Sequence, residues 1–314
     1  MCGMDGFPDT WAEFHRLCRR EDACRQFLIR CRWPRGFTCK SCASPRYWIN
    51  RRLVLVCAHC RRQHSLTAGT ILHKTRKPLS VWFQAMWWMV TQKTGGSAKG
   101  LQRLMGFGSY QTAWAWLHKL RRAMVRAGRE KLSGCVEVDE AWVGGAPKAR
   151  AKGAKSGKAE VAVAVEFEGQ AMGRARIQVI PDSTTRSLMH FVHENIEQGS
   201  HIFTDGWSGY AQLEDRGYRH ARRTVGYPPT RASHLLPRVH RVISLAKRWL
   251  LGTHQGRCTR KHMQAYMEEF VFRFNRRKSK HVGNLFKRML EQVGQSAPTS
   301  YRELIKKTQT AYPN

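Results

Sequence analysis

The sequence predicts an α/β protein in three successive parts: a small cysteine-knuckle module, a helical segment, and a mixed-sheet domain that fills the second half of the chain. Three observations carry this reading. Two CxxC pairs, Cys39/Cys42 and Cys57/Cys60, are separated by fourteen residues. From Leu79 apolar residues recur at three- and four-residue spacing, punctuated by glycines at 95, 96, 106 and 108. From Cys135 the spacing becomes alternate, and three strand-like runs are followed by a helix-like run and a further short strand.

The cysteine module, over 31–74, follows an N-terminal helical segment at 1–30. Two residues between thiols let one turn of backbone aim both sulfurs at one ion, and a second knuckle completes a tetrahedron. Cys39, Cys42, Cys57 and Cys60 are therefore expected to hold a structural Zn²⁺. Runs 46–50 and 53–57 read as the two strands of a hairpin turning near Asn50 and Arg51. So small a module cannot bury enough surface to fold unaided, and the metal would supply the folding energy. His59 and His64 lie close by, but four sulfurs already fill the tetrahedron, and neither is given a metal role. Cys2, Cys18, Cys24, Cys31, Cys135 and Cys258 lack knuckle spacing and read as small buried residues or plain thiols. Arginines and lysines around the knuckles alternate with Trp33, Phe37, Tyr47 and Trp48, the mixture that phosphate contact plus base stacking requires.

In the helical segment, 78–126, the stripe of Val81, Trp82, Ala85, Met86 and Met89 is a core face first. A helix over 97–106, a glycine turn and a helix over 111–124 then follow the helix-turn-helix layout. In that layout the second helix would offer Gln111, Lys119, Arg121 and Arg122 to a major groove.

The third part, 132–280, opens with a strand whose alternation puts Glu137 and Asp139 on one face and Glu140 on the other. After a basic, glycine-containing loop at 148–158 come strands at 160–167 and 175–180 and a helix running to about 198. A strand then ends on Asp205 before Gly206. One more strand fits near 218–225, ahead of a basic helix from about 238 to 251. This succession describes a ribonuclease-H-like α/β fold, in which the centre of the first strand and the end of the fourth lie side by side. Two neighbouring aspartates in basic surroundings suit two-metal phosphoryl transfer, because Mg²⁺ is a hard cation that takes carboxylate oxygens. Residues 281–314 read as a peripheral basic helical tail.

Charge points to the partner. Lys and Arg number 55 against 22 Asp and Glu, a formal +33, which is too lopsided for a generic metabolic enzyme. Arginine outnumbers lysine 37 to 18, and a guanidinium fork grips phosphate oxygens in pairs where an ammonium is a point charge. Nucleic acid is the expected partner. No apolar run approaches the roughly 20 residues of a membrane span, and Asp5, Asp9 and Glu13 stand where a signal peptide would be basic, so a soluble intracellular protein is expected.

Five motifs now belong together: the two knuckles, Val138-Asp-Glu-Ala-Trp-Val-Gly-Gly145, Phe203-Thr-Asp-Gly-Trp-Ser-Gly-Tyr210, the stretch 239–254, and Glu269-Phe-Val-Phe-Arg-Phe-Asn-Arg-Arg277. In them the chain resembles bacterial insertion-sequence transposases with an N-terminal zinc ribbon and a DDE-type catalytic domain, the ISXO-like group numbered fifteen ninety-five. The resemblance implies that Asp139 and Asp205 are the first two catalytic residues. It also implies a third on a later helix, followed seven positions on by a basic residue. Here those places hold His240 and Lys247, which the seven-residue spacing puts on one helix face. Better-known members carry glutamate where this chain has His240; an imidazole is softer and uncharged, which brings Mn²⁺ into play beside Mg²⁺. Lys247 and Arg248 are expected at DNA phosphates. The implied activity is binding of terminal inverted repeats, cleavage there, and joining of the freed 3′-hydroxyl to target DNA by a dimer or higher assembly. The competing class is a repurposed, non-enzymatic zinc-ribbon DNA-binding protein.

Overall fold

The structure is a computed structural model that describes residues 7–50, 54–126, 128–144, 157–224, 232–255 and 258–306. Most of the basic loop expected at 148–158, together with Arg51 and Arg52 of the hairpin turn, lies outside the described residues. Helices α1 (Trp11–Cys18) and α2 (Glu21–Arg32) come first, then strands β1 (Tyr47–Ile49), β2 (Leu55–Cys57) and β3 (Gln63–His64). Helices α3 (Leu79–Thr91), α4 (Ala98–Met105) and α5 (Tyr110–Ala123) lead to strands β4 (Cys135–Val143), β5 (Ala159–Glu168) and β6 (Ala171–Ile180). Helix α6 (Thr185–Asn195), strands β7 (His201–Thr204) and β8 (Arg219–Arg222), and helices α7 (Ala232–Leu235), α8 (Pro237–His254), α9 (Arg260–Phe274), α10 (Val282–Gln295) and α11 (Tyr301–Ile305) complete the order. These elements form two compact units, one of residues up to 126 with 278–306, the other of 128–277.

In the first unit, α10 overturns the expectation of a peripheral tail. Phe286, Met289, Leu290 and Val293 are fully buried. The Phe286 ring meets Phe14, Phe83 and Trp87 edge-on, with centroids 5.5, 5.7 and 5.4 Å away. A helix with basic residues on one side reads alike in sequence whether it coats a surface or closes a core; here its apolar side closes the core of the N-terminal helices.

The cysteine hairpin pairs Tyr47 with Cys57 and Ile49 with Leu55, and β3 adds a third antiparallel strand through Val56↔Gln63 and Leu55↔His64. Both knuckles have the same backbone: the Ala43 N–H donates to Cys39 O at 2.9 Å and the Arg61 N–H to Cys57 O at 3.1 Å. Ala43 (φ 56°) and Arg61 (φ 60°) therefore sit in the left-handed region, where an L side chain costs about 1–2 kcal/mol. Ala43→Gly is expected to stabilise the module by about 0.5–1 kcal/mol after glycine's entropy cost is subtracted. Slower metal loss to a chelator would show the gain; unchanged kinetics would mean the knuckle carries no strain.

The second unit is built on one five-stranded sheet in the order β6-β5-β4-β7-β8. The first three strands form an antiparallel meander, while β7 runs parallel to β4 and β8 parallel to β7. Alternation sorts the two faces. Ala141, Val143, Val161, Val163 and Val165 face α8 and α9 through Val239, Val242, Ile243 and Phe270. Val136, Val138, Ala162 and Ala164 face α6 and Tyr210 through Leu188, Phe191 and Val192. Each fully buried Val, Leu or Ile is worth about 1.5–3 kcal/mol, so both faces are strongly specified. Three antiparallel strands, two parallel ones and helices on both faces make this the ribonuclease-H-like fold expected from the sequence.

Candidate active site

The β4–β7 pairing fixes the site. Glu137 lies opposite Phe203 in parallel register, so Asp139, two residues on along β4, lies towards the end of β7, where Asp205 directly follows Thr204. Phe203 packs against the core facing α8, and Asp139 shares its parity with Ala141 and Val143 on that face. Gly206, at φ +91°, turns the chain out of β7 directly after Asp205. One Asp205 carboxylate oxygen accepts the Trp207 backbone N–H at 2.9 Å, and one Asp139 oxygen accepts that of Glu140 at 2.8 Å.

Helix α8 crosses this face and is anchored by the same strand. Pro237 begins it, and the fully buried Glu137 carboxylate accepts the N–H groups of Arg238 (2.7 Å) and Val239 (2.9 Å) while pairing with the Arg238 guanidinium at 2.9 Å. Glu137 is thus occupied in capping α8, two residues from Asp139. One turn into the helix, His240 Nε2 comes within 3.7 Å of Asp139 Oδ2. Burial pushes the Asp139 carboxyl up to about 6, opposed by His240; the Asp205 charge raises it further and Lys247 lowers it. The structure thus brings Asp139, Asp205, His240 and Lys247 into one electrostatic neighbourhood, with Lys247 exposed.

Along the outer side of α8, Arg241, Ser244, Leu245 and Arg248 line a shallow groove. Sequence reasoning named Arg248 and missed Arg241, although Arg241 precedes it by the same seven residues that separate His240 from Lys247.

On the opposite sheet face, Glu140 accepts the hydroxyl of Tyr210, a fully buried side chain in the 3-10 turn Ser208–Tyr210. Burial pushes the Glu140 carboxyl up to about 7, against the Tyr210 hydrogen bond and aided by the Asp139 and Asp205 charges. Below about pH 4.5 the carboxyl is protonated folded and unfolded alike. Between 4.5 and about 7 only the unfolded chain ionises, so stability falls across that window. Glu140→Gln is expected to remove the fall. In metal-free protein its melting temperature should match wild type at pH 4 and exceed it at pH 8, by about 2–3 kcal/mol of stability. Equal melting temperatures at pH 8 would refute a penalty at Glu140.

The cysteine cluster lies in the other unit. The ligand sulfurs of Cys39, Cys42, Cys57 and Cys60 all fall within 4.8 Å of one another, with Cys39–Cys60 at 3.6 Å and Cys42–Cys57 at 3.5 Å. Four thiolates at about 2.3 Å from one zinc would stand about 3.8 Å apart, so the set fits a tetrahedral ion. His64, left without a role by the sequence reading, reaches Cys39 Sγ with its Nε2 at 3.3 Å. Burial, with the Arg62, Lys40 and Arg32 charges, keeps its pKa below the usual imidazole value. The two-residue strand that carries His64 was too short to be seen in the sequence.

Two family models match the chain. The transposase zinc-ribbon domain of IS1595 spans residues 19–63, and the ISXO2-like transposase domain of IS1595 spans 131–275, enclosing Asp139, Asp205, His240 and Lys247. The chain belongs to the IS1595 transposase family. No protein of curated function matches this transposase. Among solved structures, it is similar to a chain of the cryo-EM structure of the simian T-cell lymphotropic virus intasome in complex with PP2A regulatory subunit B56 gamma. That match has 17% identity and a TM-score of 0.26 and covers 50% of this chain. This chain spans 63% of that one's length.

Between the two matched stretches of the transposase lie the residues expected to contact DNA from the helix-turn-helix layout. Helices α4 and α5 are present, and Gln111 is exposed at the start of α5. Arg121 corrects the expectation: it is 2% exposed, and its guanidinium donates to Gly96 O at 2.8 Å, holding the α3–α4 connection from inside. Lys119 is half-buried and burial lowers its pKa, while Arg122 is exposed and donates to Thr299 Oγ1 at 3.1 Å. Asn275 and Arg277 bond to the β6 backbone at Ala175 and Gly173. Among the described residues no helix is long and apolar enough to cross a membrane.

Proposed function

We propose that this transposase binds the terminal inverted repeats of its own insertion sequence, cuts DNA there with water, and joins the freed 3′-hydroxyl to target DNA, acting in the cytoplasm on nucleoid DNA. One observation carries the reading: Asp139 on β4 feels the charge of Asp205, just past the end of the parallel neighbour β7, and His240 Nε2 lies 3.7 Å from Asp139 Oδ2. Asp139, Asp205 and His240 would hold two Mg²⁺ or Mn²⁺ ions, which supply charge stabilisation for in-line attack at phosphorus. The donor set fits such ions, being two hard carboxylates and an imidazole on one face. Lys247 holds the DNA backbone at the site, and the groove of Arg241 and Arg248 on the same helix extends the phosphate track. Both steps attack a phosphodiester in line, so one arrangement of side chains serves both. The zinc ribbon and the α4–α5 pair select the ends through Gln111, Lys119 and Arg122. Two ends must be held together for joining, which calls for a dimer or larger assembly.

The test is cleavage and joining of labelled duplex carrying the element's flanking ends, with Mg²⁺ or Mn²⁺. Metal-dependent nicking at the element boundary followed by joined products is the expected result. Tight end-specific binding with no cleavage in either metal would favour a DNA-binding protein instead.

A further inference from the structure

The turn after Asp205 carries a side chain to which strand cleavage assigns no task. Trp207 is 52% exposed, although an indole is among the most rewarding side chains to bury. It is also fixed in place. Its ring N–H donates to Ser183 O at 3.1 Å. The ring lies so close over Gly209 that a Cβ there would come within 2.9 Å of indole Cδ1 and Nε1. One residue on, Tyr210 ties the same turn to Glu140 on β4. The turn therefore holds an indole in one orientation, open to solvent, two residues from a carboxylate of the site.

A rigid exposed π-face suits a flat π-faced ligand. Beside a carboxylate that handles a phosphodiester, the flat group within reach is the base of an adjoining nucleotide. In a duplex that base shows only its edges, since its faces are covered by neighbouring pairs, so stacking on Trp207 requires it to leave the stack. We propose that Trp207 is the platform on which a nucleobase next to the scissile phosphate stacks, unpaired, while the phosphodiester lies at Asp139 and Asp205. This rests on the strand-cleavage reading above. The side chain acts by positioning, and substituting it leaves the backbone N–H that Asp205 accepts in place.

The test compares full-length wild type with Trp207→Ala, Trp207→Leu and Trp207→Phe on two element ends in Mn²⁺. One end is fully paired; the other has the nucleotides flanking the cut mismatched in advance. On the paired end Ala and Leu are expected to slow cleavage roughly tenfold to a hundredfold, and Phe by only a few fold. On the pre-opened end Ala and Leu should recover most of that loss, a rescue that a merely structural role would not give. Melting curves accompany each variant, and Leu against Phe decides the matter should Ala fail to fold. Equal rates for Leu and wild type on the paired end, or losses as large on the opened end as on the paired one, would overturn the proposal. Failure of wild type to cut either end, in Mn²⁺ and on repetition in Mg²⁺, would overturn the strand-cleavage reading and this proposal with it.

Discussion

Asp205→Ala is expected to abolish metal-dependent cleavage and joining, a loss of about a thousandfold or more, while leaving binding to the element ends within a few fold of wild type. The magnitude follows from removing several kcal/mol of metal-borne charge stabilisation at the reacting phosphorus. Binding survives because the ribbon lies in the other compact unit and Asp205 is an exposed side chain at a strand end. His240 separates two accounts of the third position. As a ligand, it should give a large loss in His240→Ala, and His240→Glu should retain activity and move the preference from Mn²⁺ toward Mg²⁺, since a carboxylate is the harder donor. End-labelled cleavage in each metal, alongside gel-shift affinity, measures all of these. Wild-type cleavage by Asp205→Ala would remove Asp205 from the mechanism.

The places of Asp139 within β4 and of Asp205 just after β7 were legible in the sequence because strand alternation and a strand ending before glycine are local signals. The succession of strands and helix along the second unit followed from the same signals. What escaped is non-local. Arg121 reads as a surface cation in any sequence pattern; its burial is decided by a carbonyl at Gly96, twenty-five residues away. His64 was set aside because the ligand count was complete, yet β3 folds it back onto Cys39. Glu137 shares a face with Asp139 by parity, but parity does not say which element lies above each carboxylate. Above Asp139 is His240, and above Glu137 is the start of α8. Two carboxylates on one strand face therefore meet different parts of α8.

Capping α8 makes Glu137 a large expected determinant of stability in the ribonuclease-H-like unit. Glu137→Ala leaves the Arg238 guanidinium, with a side chain 12% exposed, without its carboxylate, and frees two N–H groups in the first turn of α8. Breaking a buried pair from one side costs about 3–5 kcal/mol, most of it the penalty for the charge left behind. Replacing both partners is cheaper: Glu137→Ala with Arg238→Met should recover a substantial part of the loss, and the cycle of single and double variants in urea gives the coupling directly. Activity should not follow stability in that rescue. His240 enters α8 two residues after Arg238, and its distance from Asp139 depends on where the cap holds the first turn. The double variant regains a folded unit without regaining the carboxylate that sets the helix start, so cleavage should stay low while the unfolding midpoint rises. Recovery of both together would mean that Glu137 only stabilises the fold, and a Glu137→Ala protein as stable as wild type would mean that the cap contributes nothing.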